Sequence, residues 1–123
     1  MPLHVPPTTQ PVTVTPRGDP ISLLDRYSGT DITYKTVVSW TVGTGKTGEL
    51  KEVSMMSDTY AATHFKLTIA GEEQFKDKII GAPLTLPFPQ NELEAGDIVI
   101  LEVKRTGAGA AITVDGSITG REI

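Results

Sequence analysis

Apolar and polar side chains alternate along most of the chain after residue 31, and this two-residue period is typical of β-strands. In the segment 32–42 the apolar positions are mainly even-numbered and end with Val38, Trp40 and Val42. The same kind of pattern recurs at 50–56, 65–69, 74–80, 84–88, 97–105 and 112–118. No segment of useful length shows the 3.6-residue period of an amphipathic helix. The pattern therefore predicts seven to eight strands.

Turn-forming residues separate these strands at intervals that suit two stacked sheets. Gly43–Gly48 is short enough for a hairpin turn, and a change of parity after Leu50 predicts a β-bulge. Pro83 and Pro87 border and interrupt a short apolar strand, which places it at a sheet edge. We expect an all-β antiparallel sandwich, jelly-roll-like and of about eight strands, whose core includes Trp40, Phe65, Phe88, Ile100, Leu101 and Val114.

The first 20 residues differ from the rest, because they contain six of the nine prolines. Proline fixes φ and pushes the residue before it toward extended conformations, so residues 1–20 are predicted to be an extended arm and residues 21–123 the sandwich domain. Val12–Thr15 alternates as an edge strand would. The arm packs either on a neighbouring subunit or along its own domain. At its end, Pro20–Tyr27 is predicted to form one helical turn, with Asp19 as its N-cap.

Composition narrows the possible partners. The chain has 123 residues, enough for one domain with its own core, and a net charge of -4 at a pI of about 5.1. A nucleic-acid partner is disfavoured, because binding of the phosphate backbone requires a basic surface. The absence of cysteine excludes disulfides and thiolate chemistry. No apolar run is long enough for a membrane span, and no secretory signal is expected.

Short motifs with possible chemistry have simpler explanations in this sequence. Gly43–Thr47 lacks the glycine that a phosphate-binding loop needs at position 40, which is Trp40, and a strand rather than a helix follows. Arg17–Asp19 matches the tripeptide that adhesive proteins present to integrins, but a glycine turn explains it. His4 and His64 lie on different kinds of segment. The sequence therefore predicts no catalytic, cofactor-binding or metal-binding residue, and no enzyme.

The acidic residues and the tyrosines leave two further interpretations. The carboxylates at 72–73 and 92–97 fall in predicted turns without the alternating Asp/Asn pattern of a calcium loop. Tyrosine rings can stack on sugars, and Tyr27, Tyr34 and Tyr60 are the candidates, with Tyr27 and Tyr60 as the possible ligand-binding residues. Alternatively, these tyrosines are half-buried residues of the sandwich.

The whole pattern resembles the small jelly-roll proteins of virus and bacteriophage particles, especially capsid decoration or cement proteins. Four segments support the resemblance, namely the arm at 2–20, the turn at 43–48, the proline-bounded segment 82–89 and the run 93–100 that leads into a penultimate strand. The likeness is one of architecture, and the same fold carries many functions.

The resemblance implies a virion structural protein that braces the shell through subunit contacts and a docking arm. Its partners would be the major capsid protein or neighbouring virion subunits, in a homo-oligomer, without nucleic acid, membrane or cofactor. The arm would bind them through Val5, Val12, Val14 and Arg17. Two alternatives stay open, a carbohydrate- or receptor-binding module of a phage tail or surface protein, and a small hydrolase.

Overall fold

The computed structural model describes residues 18–123, apart from the side chain of Gln90. In this range eight antiparallel strands form two four-stranded sheets, which confirms the predicted sandwich. Sheet A has the order β1-β8-β3-β6 and sheet B the order β2-β7-β4-β5, and a 3₁₀ turn at Tyr60–Ala62 precedes β4. The strands are β1 (Asp19–Gly29), β2 (Lys35–Thr41), β3 (Gly48–Ser57), β4 (Thr63–Ile69), β5 (Glu72–Lys78), β6 (Leu84–Leu93), β7 (Ile98–Arg105) and β8 (Ile112–Glu122).

The pairing of the strands is that of a jelly roll. β1 pairs with β8, β2 with β7, β3 with β6 and β4 with β5, as in one long hairpin that is folded over on itself. Among the described strands, only β4 and β5 are consecutive neighbours in one sheet. The turn at Gly43–Gly48 joins β2 of sheet B to β3 of sheet A, so the expectation of a hairpin there was wrong.

The β4–β5 connection shows how local sequence closes the hairpin at the centre of this fold. Ala70 and Gly71 have φ angles of 51° and 83°. Positive φ at both central residues is the property of a type I′ turn, whose twist matches that of the flanking strands. Glycine adopts this conformation without steric cost, whereas Ala70 adopts it against its usual preference.

Most of the predicted core is confirmed. Trp40, Phe65, Leu101 and Val114 are buried between the sheets. Ile100 is only half-buried, because the buried side of β7 consists of Val99, Leu101 and Val103 and position 100 faces outward. Phe88 is also half-buried and packs on the rim of the core, in a part of β6 where the register with β3 shifts.

The prediction of a helical turn at Pro20–Tyr27 was wrong, because this segment belongs to β1. All eleven residues of β1 are in register with β8, and Ile21, Leu23 and Tyr27 turn toward the core. The strand begins at Asp19, so Asp19 and Pro20, which were assigned to the arm, are part of the sandwich.

The other two expectations about strand geometry are confirmed. β6, with its prolines, lies at an edge of sheet A. The register of β3 with both neighbouring strands shifts between Leu50 and Glu52, as the change in parity indicated. The bulge takes Lys51 out of the regular ladder, and it contributes to the surface groove described below.

Candidate functional site

A polar cluster occupies the outer face of sheet B, and Tyr34 lies at its centre. The Tyr34 hydroxyl donates to Asp77 Oδ1 over 2.5 Å and accepts a hydrogen bond of 2.8 Å from the Asp77 amide. Tyr34 directly precedes β2 and Asp77 lies in β5, and these strands form opposite edges of sheet B. The phenol thus ties the start of one edge strand to the other edge strand.

Charged side chains from the two central strands of sheet B complete this cluster. The ammonium groups of Lys104 and Lys66 lie 4.9 and 5.4 Å from the centre of the Tyr34 ring, within cation–π range. Lys104 also lies 3.5 Å from Asp77 Oδ1, and His64 Nδ1 lies 3.9 Å from the same oxygen. Two ammonium groups and one imidazole therefore surround the Tyr34–Asp77 pair.

The electrostatics of the cluster favour a protonated phenol beside an ionised carboxylate. Burial, followed by the hydrogen bond to Asp77, raises the pKa of Tyr34 to about 12. The hydrogen bond from Tyr34, with smaller contributions from Lys104 and His64, lowers the pKa of Asp77 below its ordinary value of 3.8. The phenol accordingly keeps its proton near neutral pH and serves as a hydrogen-bond donor to an ionised carboxylate.

Replacing Tyr34 with Phe is expected to lower the free energy of unfolding by up to about 1 kcal/mol at neutral pH, because two hydrogen bonds are lost and the ring is retained. A phenol whose pKa is raised in the folded state favours folding below its unfolded-state pKa of about 10, and this contribution is lost as the pH rises toward 12. The difference between the wild type and the variant should therefore shrink above about pH 10. Urea unfolding of both proteins at a series of pH values measures this difference in the free energy of unfolding.

Asp77→Asn serves as the companion variant for this prediction. It removes the carboxylate that accepts the phenol proton, so ultraviolet titration should show Tyr34 ionising at a lower pH than in the wild type. If the effect of Tyr34→Phe on stability has the same size at neutral pH and near pH 11, the raised pKa of Tyr34 does not contribute to folding.

The two predicted ligand-binding tyrosines, Tyr27 and Tyr60, differ in how far their rings are exposed to solvent. Tyr27 is only 9% exposed, and its hydroxyl donates to Asp31 Oδ2 over 2.7 Å and accepts from the Asp31 amide over 3.0 Å. Its ring therefore offers no free face for stacking on a sugar. Tyr60 is half-buried in the 3₁₀ turn and packs against the edge of the core. This placement fits the alternative that these residues belong to the sandwich.

The arm residues Val5, Val12, Val14 and Arg17 lie outside the described residues. Gly18, with φ of 74°, is packed against the backbone and side chain at the end of β8, where an added Cβ would lie 2.4 Å from the Glu122 carbonyl oxygen. The Asp19 side chain is exposed and lies 3.9 Å from Lys46 Nζ. Gly18 and Asp19 therefore lie beside the end of β8 and the 43–48 turn.

A groove crosses sheet A next to this point. One part, of about 300 Å³, is lined by Gly18, Pro20 and β3 and β8 residues, and it shares Lys51, Gly120 and Arg121 with a larger part of about 480 Å³. The larger part reaches Phe88 and Pro89 on β6. A side chain at Gly120 would collide with the Glu49 carbonyl, so this position has no room for one. The lining of the larger part combines apolar residues with the charged residues Glu49, Lys51, Glu92 and Arg121, and Arg121 lies 3.7 Å from Glu49.

Within residues 18–123 no three His, Cys, Asp or Glu side chains are grouped so that they could hold a metal ion. In the same range no helix has the length and apolar character that crossing a bilayer requires.

Comparison of this chain with protein-family models, with curated proteins and with solved structures found no match.

Proposed function

We propose that this protein is a virion structural protein, a capsid decoration or cement protein that stabilises a shell through subunit contacts. The observation that supports the proposal is the jelly-roll topology of the eight strands in residues 18–123. Jelly rolls are common in virus particles, although the fold alone also serves lectins and cupins.

The mechanism proposed is mechanical. The sandwich is a rigid body whose two sheets share one continuous aliphatic core. The arm, with Val5, Val12, Val14 and Arg17 as its contact residues, would bind the major capsid protein or a neighbouring subunit as an added strand. Each such contact is weak, but a particle presents many copies, and the effective concentration of linked sites raises the overall affinity.

The alternative function, a carbohydrate- or receptor-binding module, depended on exposed tyrosines. Of the three candidate tyrosines, Tyr27 is buried and Tyr34 and Tyr60 are half-buried, which gives this alternative less support. The decoration role is therefore the one that we propose.

Deleting residues 2–17 is expected to leave the thermal unfolding of the domain nearly unchanged and to weaken its attachment to particles. The deletion stops before Gly18, because Gly18 packs against the end of β8. Differential scanning calorimetry measures the first effect. Sedimentation of the full-length and shortened chains with particles stripped of this protein measures the second.

A triple variant, Val5, Val12 and Val14 each changed to Ser, is the matched control for chain length. It should bind particles as weakly as the deletion does, since it keeps the arm but removes its apolar contacts. A shortened chain that sediments with particles as well as the full-length chain would contradict the docking role. Absence of the protein from purified particles of its source would overturn the proposed function itself.

A further inference from the structure

The four edge strands of the two sheets differ in how well they are protected. An exposed edge carries unpaired backbone groups, and proteins usually block it with prolines, charges, bulges or irregular backbone. β6 has Pro87 and Pro89. β5 is charged along most of its length and is kinked by Asp77, whose φ is 54°. β2 has a bulge between Thr36 and Val38.

β1 is the most regular of the edges in residues 18–123, and its charged residues are Asp19, Asp25 and Arg26. Its eleven residues are in register with β8 without a shift, and after Pro20 the strand has no proline or bulge. Its other side has no partner strand in the described sheet. A long and regular edge of this kind is a template for pairing with another strand.

The middle of β1 carries an apolar side chain that the sandwich does not use. Leu24 is the central residue of Asp19–Gly29 and is 77% exposed, more than any other large hydrophobic residue in the described chain. Its neighbours across the outer face, Ser117 and Ser54, are small and uncharged. The most exposed large apolar side chain of the described residues thus lies midway along the most regular edge.

We infer that β1 pairs antiparallel with β1 of a second copy of this chain, about a two-fold axis at Leu24. This register overlaps all eleven residues of each strand, and it places the two Leu24 side chains against each other. It joins the two copies of sheet A into one continuous sheet of eight strands. The interface is isologous, because each subunit contributes the same residues.

The charges on β1 disfavour the registers on one side of this one, and an axis at Leu23 would pair only nine residues of each strand instead of eleven. With the axis at Leu24, Asp25 lies opposite Leu23 of the partner subunit, and Arg26 lies opposite Ser22 of the partner subunit. An axis at Asp25 or at Arg26 would place like charges directly opposite each other, which destabilises a strand pair. An axis between two residues would place the core-facing positions of one strand opposite the solvent-facing positions of the other, so the two sheets would not be continuous in their faces.

The length of the contact also suits a strand pair, because eleven residues extend over about 37 Å. Beneath β1, the edge of the sandwich continues with Thr36–Ser39 of β2, which line a groove together with Ser22–Arg26. Thr36–Ser39 carry no charge, so this stretch of β2 adds no electrostatic repulsion between the two copies.

Sedimentation equilibrium of the isolated full-length chain, over a roughly hundredfold range of concentration, tests this inference. The wild type should have twice the mass of the 13.2 kDa chain. Leu24→Lys places two ammonium groups at the axis and should raise the dimer dissociation constant at least about tenfold. Met56→Lys adds the same charge on the same outer face, two strands away from the edge, and should leave the dimer intact.

Disulfide cross-linking tests the register. Because the chain contains no cysteine, a single introduced cysteine can form a disulfide only with the same position of a second copy. With Leu24→Cys, the two sulfurs lie across an antiparallel pair whose Cα atoms are about 4.5–5.5 Å apart, a distance that a disulfide can bridge. With Ser22→Cys, the two positions are about 13 Å apart along the strands and cannot be bridged. Mild oxidation should therefore give a covalent dimer for Leu24→Cys and only monomer for Ser22→Cys.

A wild-type chain that is monomeric at every concentration would overturn the inference, and so would equal cross-linking of the two cysteine variants. A monomer would be the outcome if residues 12–15 of the same chain cover the edge of β1. Because these measurements use the isolated protein, they are independent of the proposed role in a virion, which the particle-binding experiment tests.

Discussion

Replacing Phe65 with Ala is expected to lower the free energy of unfolding by about 3–5 kcal/mol, the typical cost of emptying a large aromatic site in a core. Phe65 is fully buried, and its strand β4 lies between β5 and β7, so the strands around it are held on both sides. The core can relax only partly into the space, and a cavity remains. Urea unfolding followed by the fluorescence of Trp40, the single tryptophan of the chain, measures the loss.

Phe75→Ala is the control for this prediction, because Phe75 is opposite Leu67 on the edge strand β5 and is only half-buried. It should cost clearly less than Phe65→Ala. If Phe65→Ala does not fold, Phe65→Leu keeps most of the volume and should still fold, with a loss of about 1–2 kcal/mol. A loss below about 1 kcal/mol for Phe65→Ala would show that this residue is not part of a close-packed core.

The strands whose inner face is buried were predictable from sequence. In β4 the alternation of Phe65, Leu67 and Ile69 with polar residues corresponds to one side against the core and one side in solvent. The same reasoning failed at Ile100, because β7 has apolar residues on both faces and its parity cannot be read from hydrophobicity alone.

β1 could not be recognised in the same way. Asp19 and Pro20 have the local features of a helix start, and Asp25 interrupts the alternation of Leu23 and Tyr27. What makes this segment a strand is its pairing with β8, about 90 residues later in the chain. Non-local pairing of this kind leaves little signal in the segment itself.

The connectivity was only partly accessible for a related reason. A glycine-rich turn such as Gly43–Gly48 can close a hairpin or carry the chain to the other sheet, and its residues do not distinguish the two. The choice depends on which strands bury their inner faces together, and this is a property of the assembled sandwich.

The polar cluster was beyond sequence reasoning. Tyr34 and Asp77 are 43 residues apart, and Asp77 meets the phenol in a left-handed backbone conformation that nothing in its neighbours requires. The sequence offers Tyr34 either as a sugar platform or as a half-buried residue of the sandwich. Its ring lies within cation–π distance of two lysines and its hydroxyl is held by a carboxylate, an arrangement that becomes visible only when the two edges of sheet B are placed together.

Replacing Glu122 with Ala is expected to lower the free energy of unfolding by about 2–3 kcal/mol. Glu122 Oε2 accepts a hydrogen bond of 2.7 Å from Trp40 Nε1, and Oε1 accepts one of 3.1 Å from the Gly43 amide. These bonds join the end of β8 in sheet A to β2 in sheet B and to the residues that follow it. Without the carboxylate, a largely buried indole N–H has no partner, and desolvation of such a group is costly.

Two variants separate this role from a general effect of charge. Glu122→Gln keeps one acceptor oxygen but turns an amide group toward the second donor, so its cost should lie between that of Glu122→Ala and zero. Glu49→Ala removes an exposed carboxylate whose ion pair with Arg121 spans 3.7 Å, and such surface pairs contribute less than about 1 kcal/mol. The emission of Trp40 should change with Glu122→Ala and not with Glu49→Ala. Equal losses of stability for Glu122→Ala and Glu49→Ala would mean that the hydrogen bonds to Trp40 and Gly43 do not hold the two sheets together.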